Sequence, residues 1–169
     1  MSTSEEQKMS KVQNITTTAS DPTVAAAAAQ FLSPVVLGLQ ALTINGKQAH
    51  WHVRGANFVG VHELLDTIVE HAGDFADTAA ERIVALGLPI DARVTAVAAK
   101  AGNTGVPAGF TQSDELVRAV IADIDAILVD VKAAIDGLDE VDLTSQDVAI
   151  EVMRGLEKDR WFLVSHVAA

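Results

Sequence analysis

Five side chains in the first half of the chain have the types and spacing of a metal site. His50 precedes His62 by twelve residues, Asp66 follows four residues later, and Asp77 and Glu81 form a second pair four residues apart. On a helix each residue advances about 100°, which places the last four side chains along one stripe. The chain has no cysteine, so the candidate ligands are imidazole and carboxylate groups, which suit iron, manganese or zinc.

The rise of a helix separates the two pairs. At about 1.5 Å per residue, Asp66 and Asp77 lie roughly 16 Å apart, whereas metal–ligand bonds are about 2 Å long. One chain therefore cannot bring both pairs to one ion. If two copies of the helix pair antiparallel about a two-fold axis, His62 lies opposite Glu81 and Asp66 lies opposite Asp77. His50 completes each composite site if the first helix packs antiparallel beside the second.

This arrangement predicts a homo-oligomer whose metal sites lie at an interface between subunits. The axis would pass near positions 71 and 72, where Ala72 and Gly73 are small enough to let two helices approach closely. A two-fold dimer is also the commonest geometry of protein oligomers.

Helical periodicity and capping residues predict the elements that position these side chains. Asp21-Pro22 is typical of a helix start, and Gly87 followed by Pro89 is typical of a helix end. Ser33-Pro34 is a second start signal inside the first helix, for which we expect a kink or a short preceding helix. Long helices are predicted over residues of about 21–53, 57–86, 112–138 and 144–167, with a short helix over 90–101.

These elements predict an all-α fold: a four-helix bundle whose short extra helix lies in the crossover between the second and third long helices. Thr144 or Ser145 is the expected cap of the last helix. Alternating strand patterns are absent, so we expect no sheet. Residues 1–20 are polar and predict a mobile tail, which leaves residues 21–169 as one domain.

Charge restricts the classes of partner. The net charge is −11, and the twelve basic residues are scattered along the chain. Such a charge favours the binding of cations and disfavours the binding of nucleic acid. The sequence has no run of eighteen or more apolar residues, so we expect no membrane-spanning helix. The N-terminus lacks the basic and apolar order of a secretory signal, so a cytoplasmic location is expected.

The same residues carry a family resemblance. The run KQAHWHVRGANFVGVHELLD over residues 47–66, with DTAAER over 77–82, resembles the ferroxidase segment of the Dps family of mini-ferritins. The likeness extends over residues 21–167. It implies that His50, His62 and Asp66 bind iron from one subunit, and that two acidic residues do so from its two-fold partner. Those acidic residues are Asp77 and Glu81.

The resemblance also implies the fold and the activity. Members have a ferritin-like bundle and assemble into a hollow shell of twelve subunits. They oxidise Fe(II) preferentially with hydrogen peroxide, store Fe(III) inside the shell and so protect against oxidative stress. For this chain it implies a ferroxidase with at most two iron ions in each intersubunit site.

For several residues outside the five-residue pattern, the sequence leaves two interpretations open. In the family a tryptophan such as Trp51 lies near the ferroxidase centre, where it intercepts radicals or simply fills the interface. Asp142 and Asp147 are candidates for a pore that admits ions, or belong to a solvated loop and helix start. Three further histidines lie outside the five-residue pattern. His52 and His71 are interpreted as surface or hydrogen-bonded groups. For His71, near the two-fold axis, an auxiliary ligand is the alternative, and the role of His166 stays open.

Two other functions compete with iron oxidation. A DNA-compacting structural protein is disfavoured, because the basic residues Lys8 and Lys11 in the first twenty residues are cancelled by Glu5 and Glu6. We therefore expect DNA binding to be weak or absent, and association with the nucleoid only if DNA is bound. Metal-assisted hydrolysis is the other competing function, because a metal ion held by carboxylate and imidazole can turn bound water into a nucleophile.

Overall fold

Five helices dominate the computed structural model, which describes residues 21–168. The predicted tail over residues 1–20 lies outside that part. The helices are α1 (Pro22–His52), α2 (Phe58–Ala85), α3 (Val94–Ala101), α4 (Ser113–Leu138) and α5 (Leu143–Val167). The four long ones form a bundle, and the short α3 lies in the crossover between α2 and α4. The predicted all-α four-helix bundle, with a short extra helix in the crossover, is confirmed.

The helices pack through apolar stripes that meet in one core. α1 lies against α2 and α4, and α5 packs on α4 and α2. Contacts between Gly46 and Val69 and between Thr43 and Gly73 show that α1 and α2 run antiparallel, because a higher number on one faces a lower number on the other. The most deeply buried large side chains of the core include Leu32, Leu39, Leu42, Leu65, Ile68, Ile83, Leu116, Ile124 and Leu156.

The ends of the site-bearing helices follow the predicted signals. The Asp21 carboxylate accepts a 2.7 Å hydrogen bond from the Thr23 amide, and Pro22 occupies the first helical position. At the end of α2, Gly87 adopts φ +92° and donates to the Val84 carbonyl at 2.9 Å. The next amide, that of Leu88, reaches back to Ile83 at 3.4 Å, which completes a Schellman cap.

α1 continues through Pro34 as one helix, so the alternative of a short preceding helix is wrong. Proline removes one backbone hydrogen bond, at a cost of about 3 kcal/mol in a helix interior. The apolar residues on both sides of it, Leu32 and Val35, are fully buried in the same core. Continuous burial of this stripe outweighs the local cost.

A two-residue parallel pair of strands corrects the expectation of no sheet. Val53 pairs with Thr111 and Arg54 pairs with Gln112, forming β1 (Val53–Arg54) and β2 (Thr111–Gln112). Two residues are too few to produce an alternating pattern in a sequence. The pair ties the end of α1 to the start of α4.

α1 is long and apolar enough to cross a membrane by length and composition, and 44% of the qualifying stretch is buried inside the protein. Core helices of soluble proteins pass the same test. Its buried side packs against α2 and α4, so α1 serves here as a core helix.

A polar contact joins the end of α2 to the start of α5. Asp142 is the N-cap of α5 and accepts from the Ser145 amide, so the expected cap at Thr144 or Ser145 is wrong. Arg82 donates to the Asp142 carboxylate at 2.7 Å and to the Ser145 hydroxyl at 2.9 Å. Partial burial acts to raise the pKa of Asp142, but the hydrogen bonds from Ser145 and Arg82 outweigh it and the pKa is lowered.

Ala72 on α2 lies inside the protomer, which corrects its expected role at the two-fold axis, whereas the expected role of Gly73 there stays a prediction. Ala72 is fully buried in the core of the protomer, and Gly73 faces Thr43 of α1. Gly46 of α1 lies so close to α2 that a Cβ atom there would stand 2.7 Å from Val69 Cγ2. The seam between α1 and α2 is therefore packed at its limit.

Substituting alanine at the two glycines tests that packing. Both Gly46→Ala and Gly73→Ala gain up to about 1 kcal/mol of helix propensity. Only Gly46→Ala forces the helices apart, because a Cβ at Gly73 meets its nearest neighbour at 3.8 Å. We expect Gly46→Ala to be less stable than Gly73→Ala by roughly 1–3 kcal/mol, measured by denaturant unfolding at one subunit concentration. Equal stabilities of the two variants would contradict the close packing of α1 against α2 at Gly46.

The lowered pKa of Asp142 predicts a pH-dependent contribution to stability. Asp142→Asn keeps an acceptor at the cap but loses the charge that pairs with Arg82, at a cost of roughly 1–3 kcal/mol at neutral pH. Because the folded-state pKa of Asp142 is lower than the unfolded value of 3.8, its carboxylate stabilises the fold at pH values above 3.8. This stabilisation is lost as the pH falls through the folded-state pKa. Denaturant titrations at pH 7, 5 and 3 should show the difference shrinking. Asp136→Asn, in an exposed pair with Lys132, is the control, and a constant difference would refute the prediction.

Candidate metal centre

Two histidines hold each other in place across the seam between α1 and α2. His50 lies in the last turn of α1 and His62 in the second turn of α2, with their rings stacked at a centroid distance of 3.7 Å. Nδ1 of His50 lies 2.8 Å from the carbonyl oxygen of His62, and Nδ1 of His62 lies 2.9 Å from the carbonyl oxygen of His50. Because a carbonyl only accepts, each Nδ1 donates its proton. The bonds therefore fix the tautomer in which Nε2 carries the lone pair, and this is the tautomer that metal ligation at Nε2 requires.

Phe58 was not singled out from the sequence. Its ring stacks on His62 at a centroid distance of 5.2 Å and an angle of 29°, while His50 stacks on His62 as well. Phe58 is one helical turn before His62, and a turn-spaced aromatic residue was the signal that could have identified it. Stacking on two neighbours restricts how the His62 ring can rotate.

Asp66 lies one turn beyond His62 and pairs with Lys47 of α1. The hydrogen bond from Lys47 is the main cause that lowers the pKa of the Asp66 carboxyl. The group is therefore an anion at neutral pH and a suitable ligand for a cation. Lys47 was missed because its proximity to Asp66 follows only from the antiparallel register of α1 and α2.

The other predicted pair stands apart from these groups. Asp77 and Glu81 are exposed side chains on the same uninterrupted helix α2, so Asp77 lies about 16 Å along the axis from Asp66. Within residues 21–168, no group of three or more histidine and acidic side chains is positioned to hold a metal ion. The protomer thus carries two separated halves: the His50–His62–Asp66 half on the α1–α2 seam, and the acidic pair.

Apolar surface flanks the histidine half. Trp51, next to His50, is 64% exposed, and Ile44, Phe58 and Val59 also present large apolar side chains to the surface. A concentration of exposed aromatic and aliphatic groups is typical of a protein–protein contact. The position of Trp51 is compatible with both of its interpretations.

The remaining predicted residues lie outside this seam. Asp142 is engaged with Arg82 and Ser145, and Asp147 is exposed on the first turns of α5. Their proposed role in a pore stays a prediction.

The other histidines have separate surroundings. Nδ1 of His52 is bonded to the Gln48 carbonyl at 2.8 Å, and His166 is exposed near the end of α5. His71 pairs with Asp159, in keeping with its interpretation as a hydrogen-bonded histidine.

Comparison with known proteins identifies the family. Residues 38–169 match the model of the ferritin-like domain. The DNA protection during starvation protein of Agrobacterium fabrum is 35% identical over 127 residues, which cover 75% of this chain and 78% of that protein.

Solved structures agree with this match. The Dps of Microbacterium arborescens in its high-iron form is 68% identical and superposes with a TM-score of 0.88, covering 90% of this chain and 99% of that one. The Dps of Mycobacterium smegmatis in a tetragonal form is 28% identical, with a TM-score of 0.83 over 89% and 93% of the two chains. This chain belongs to the Dps family of ferritin-like proteins.

Proposed function

We propose that this protein is a ferroxidase and iron store whose catalytic sites are completed by a second subunit. The observation that carries the proposal is the His50–His62 pair, in which both Nδ1 atoms are occupied by backbone carbonyls and both Nε2 atoms are left to bind a metal ion. Asp66 adds an anionic oxygen beside them. Membership of the Dps family supports iron as the metal.

The separation of the two half-sites supports a two-fold pairing. Asp77 and Glu81 are exposed and free to face a neighbouring subunit, and the apolar surface around Trp51 offers area for that contact. An isologous pair brings the acidic half of each subunit to the histidine half of the other, giving two equivalent sites. Assembly of such pairs into a shell of twelve subunits is the form that we propose for the complete protein.

The chemistry follows from the ligand types. Imidazole binds Fe(II) well, and carboxylates remain good ligands when the ion becomes Fe(III), so one site accommodates substrate and product. With hydrogen peroxide as oxidant, two Fe(II) ions give one electron each, and peroxide takes up two protons to leave as two waters. No unpaired electron is then left on oxygen, which is how the reaction protects against oxidative stress.

Lys47 adds a feature to this site. Its ammonium group neutralises Asp66 in the protomer, so an arriving cation must displace it from the carboxylate. We propose that each site holds at most two iron ions. Trp51 is exposed beside His50, where an oxidisable indole would intercept a radical that escapes.

Other functions receive less support. A DNA-compacting role is not favoured by a net charge of −11, although the Agrobacterium relative is named for DNA protection. Hydrolysis would require a substrate pocket beside the metal ligands, and the main cavities within residues 21–168 are lined by none of His50, His62 and Asp66. We propose a cytoplasmic location.

Subunit mixing tests the shared site directly. His62→Gln removes the histidine half and Glu81→Gln the acidic half, so each variant alone should lose rapid Fe(II) oxidation by peroxide. In a co-expressed mixture, a mixed pair contains one site with both defects and one intact site. Random pairing therefore restores about one quarter of the wild-type sites. Stopped-flow absorbance of the Fe(III) product measures the recovery.

The matched control mixes two variants of the same half, His62→Gln with Asp66→Asn, which share no intact site in any pairing. No recovery is expected there. If the His62→Gln and Glu81→Gln mixture also recovers nothing while both variants assemble normally, the shared-site proposal is wrong.

The pore prediction is best tested at Asp147. Asp142 is unsuitable because its loss disturbs the cap of α5 and the contact with Arg82. Asp147 is exposed, so Asp147→Asn should leave stability unchanged and slow Fe(II) uptake roughly tenfold at low salt, through loss of electrostatic steering. Glu115→Gln, an exposed acid in the first turn of α4, is the control. Equal uptake rates for the two variants would reject the pore.

A further inference from the structure

A second histidine of α2, His71, faces a different neighbour from His62. Nine residues separate them, which turns His71 by about 180° around the helix, away from α1 and towards α5. Its Nδ1 lies 3.0 and 3.1 Å from the two carboxylate oxygens of Asp159. The Asp159 side chain is 2% exposed, whereas that of His71 is 40% exposed.

This pairing orients the imidazole. An ionised carboxylate only accepts, so Nδ1 donates to Asp159 and Nε2 carries the free lone pair. Because Nδ1 points into the core, Nε2 points towards the exposed side of the ring. Burial raises the pKa of the Asp159 carboxyl, and the hydrogen bond from His71 opposes that rise. A buried carboxylate behind a histidine is the usual support of a metal-binding imidazole.

An acidic side chain lies one turn along the same face. Asp74 is exposed and three residues from His71, a spacing that brings Cβ atoms on a helix to about 5–6 Å. We propose that His71 and Asp74 form an open binding site for a first-row transition-metal ion, with Asp159 as the positioning residue of the imidazole. Imidazole and carboxylate together suit Fe(II), Co(II) and Zn(II).

The site lies near the proposed two-fold axis, but on a different side of α2 from the histidine half of the predicted ferroxidase centre. It lies on the α5 side of α2, whereas His62 and Asp66 face the α1 side, and both of its ligands come from one chain. Within residues 21–168, no group of three or more histidine and acidic side chains is positioned to hold an ion, so the pair is left to complete its coordination with water. Such a site binds weakly and exchanges readily, which suits transient holding of an ion rather than a structural role.

A cation lies beside the positioning residue Asp159. Lys158 lies near Asp159 and lowers its pKa through charge, while its ammonium group stands 5.7 Å from the centroid of the Phe162 ring. Replacing it by an uncharged side chain of similar length should strengthen metal binding.

Cobalt binding to the assembled protein tests the inference. Co²⁺ is titrated into a shell that carries Asp77→Ala and Glu81→Ala, which removes the acidic half of every predicted ferroxidase site. Adding His71→Gln should abolish about one Co²⁺ site per subunit, and Asp159→Asn should weaken it by about 10–100-fold, as loss of a carboxylate behind a histidine ligand does. Calorimetry gives the number of sites and the affinity.

Two further variants separate metal binding from a purely structural link between α2 and α5. Asp74→Asn is exposed and leaves the His71–Asp159 pair intact, yet it should weaken Co²⁺ binding several-fold, and Lys158→Met should strengthen it. His166→Gln, an exposed histidine of α5, is the control and should leave the titration unchanged. Unaltered Co²⁺ binding in His71→Gln or in Asp74→Asn, with assembly confirmed by size-exclusion chromatography, overturns the proposal.

Discussion

The reciprocal hydrogen bonds between His50 and His62 are the interaction on which the proposed centre depends. The carbonyl of His50 belongs to the last turn of α1, where backbone acceptors lack a donor within the helix. The imidazole of His62 supplies that donor, so one bond completes the helix end and fixes the tautomer of a predicted metal ligand. The bonds require close helices, which Gly46 permits beneath Val69. The same antiparallel register brings Lys47 to Asp66.

Much of this arrangement could be predicted from the sequence, because it follows from periodicity along one helix. Spacing alone placed His62 and Asp66 on one stripe with Asp77 and Glu81, and the continuous helix α2 has the length that separates the pairs. Caps were predictable where a single residue determines them, as with the φ +92° glycine at position 87. The pairing of two subunits remains a proposal, because one chain contains only the two separated halves of the predicted metal site.

The features that escaped prediction depend on contacts between helices. Asp159 appears in the sequence as one acid among many, and only the packing of α5 on α2 buries it behind His71. Ala72 was assigned to the wrong contact for the same reason, since its small size fits a core position as well as a crossing. Pro34 starts no separate helix because both halves of α1 share one core, which local propensity does not reveal.

The angular distribution of side chains around α2 explains how one helix serves several contacts. A buried stripe containing Leu65 and Ile68 faces the core. His62 lies on the α1 side of this stripe and His71 on the α5 side, so each is held by a different acceptor, a backbone carbonyl or a buried carboxylate. In both rings Nδ1 is bonded to that acceptor, which leaves Nε2 for a ligand. The exposed side between them carries acidic residues, including Asp74 and the predicted ligands contributed to the partner. The helical period of 3.6 residues therefore places the residues that pack in the core and the residues proposed to bind cations on different sides of α2.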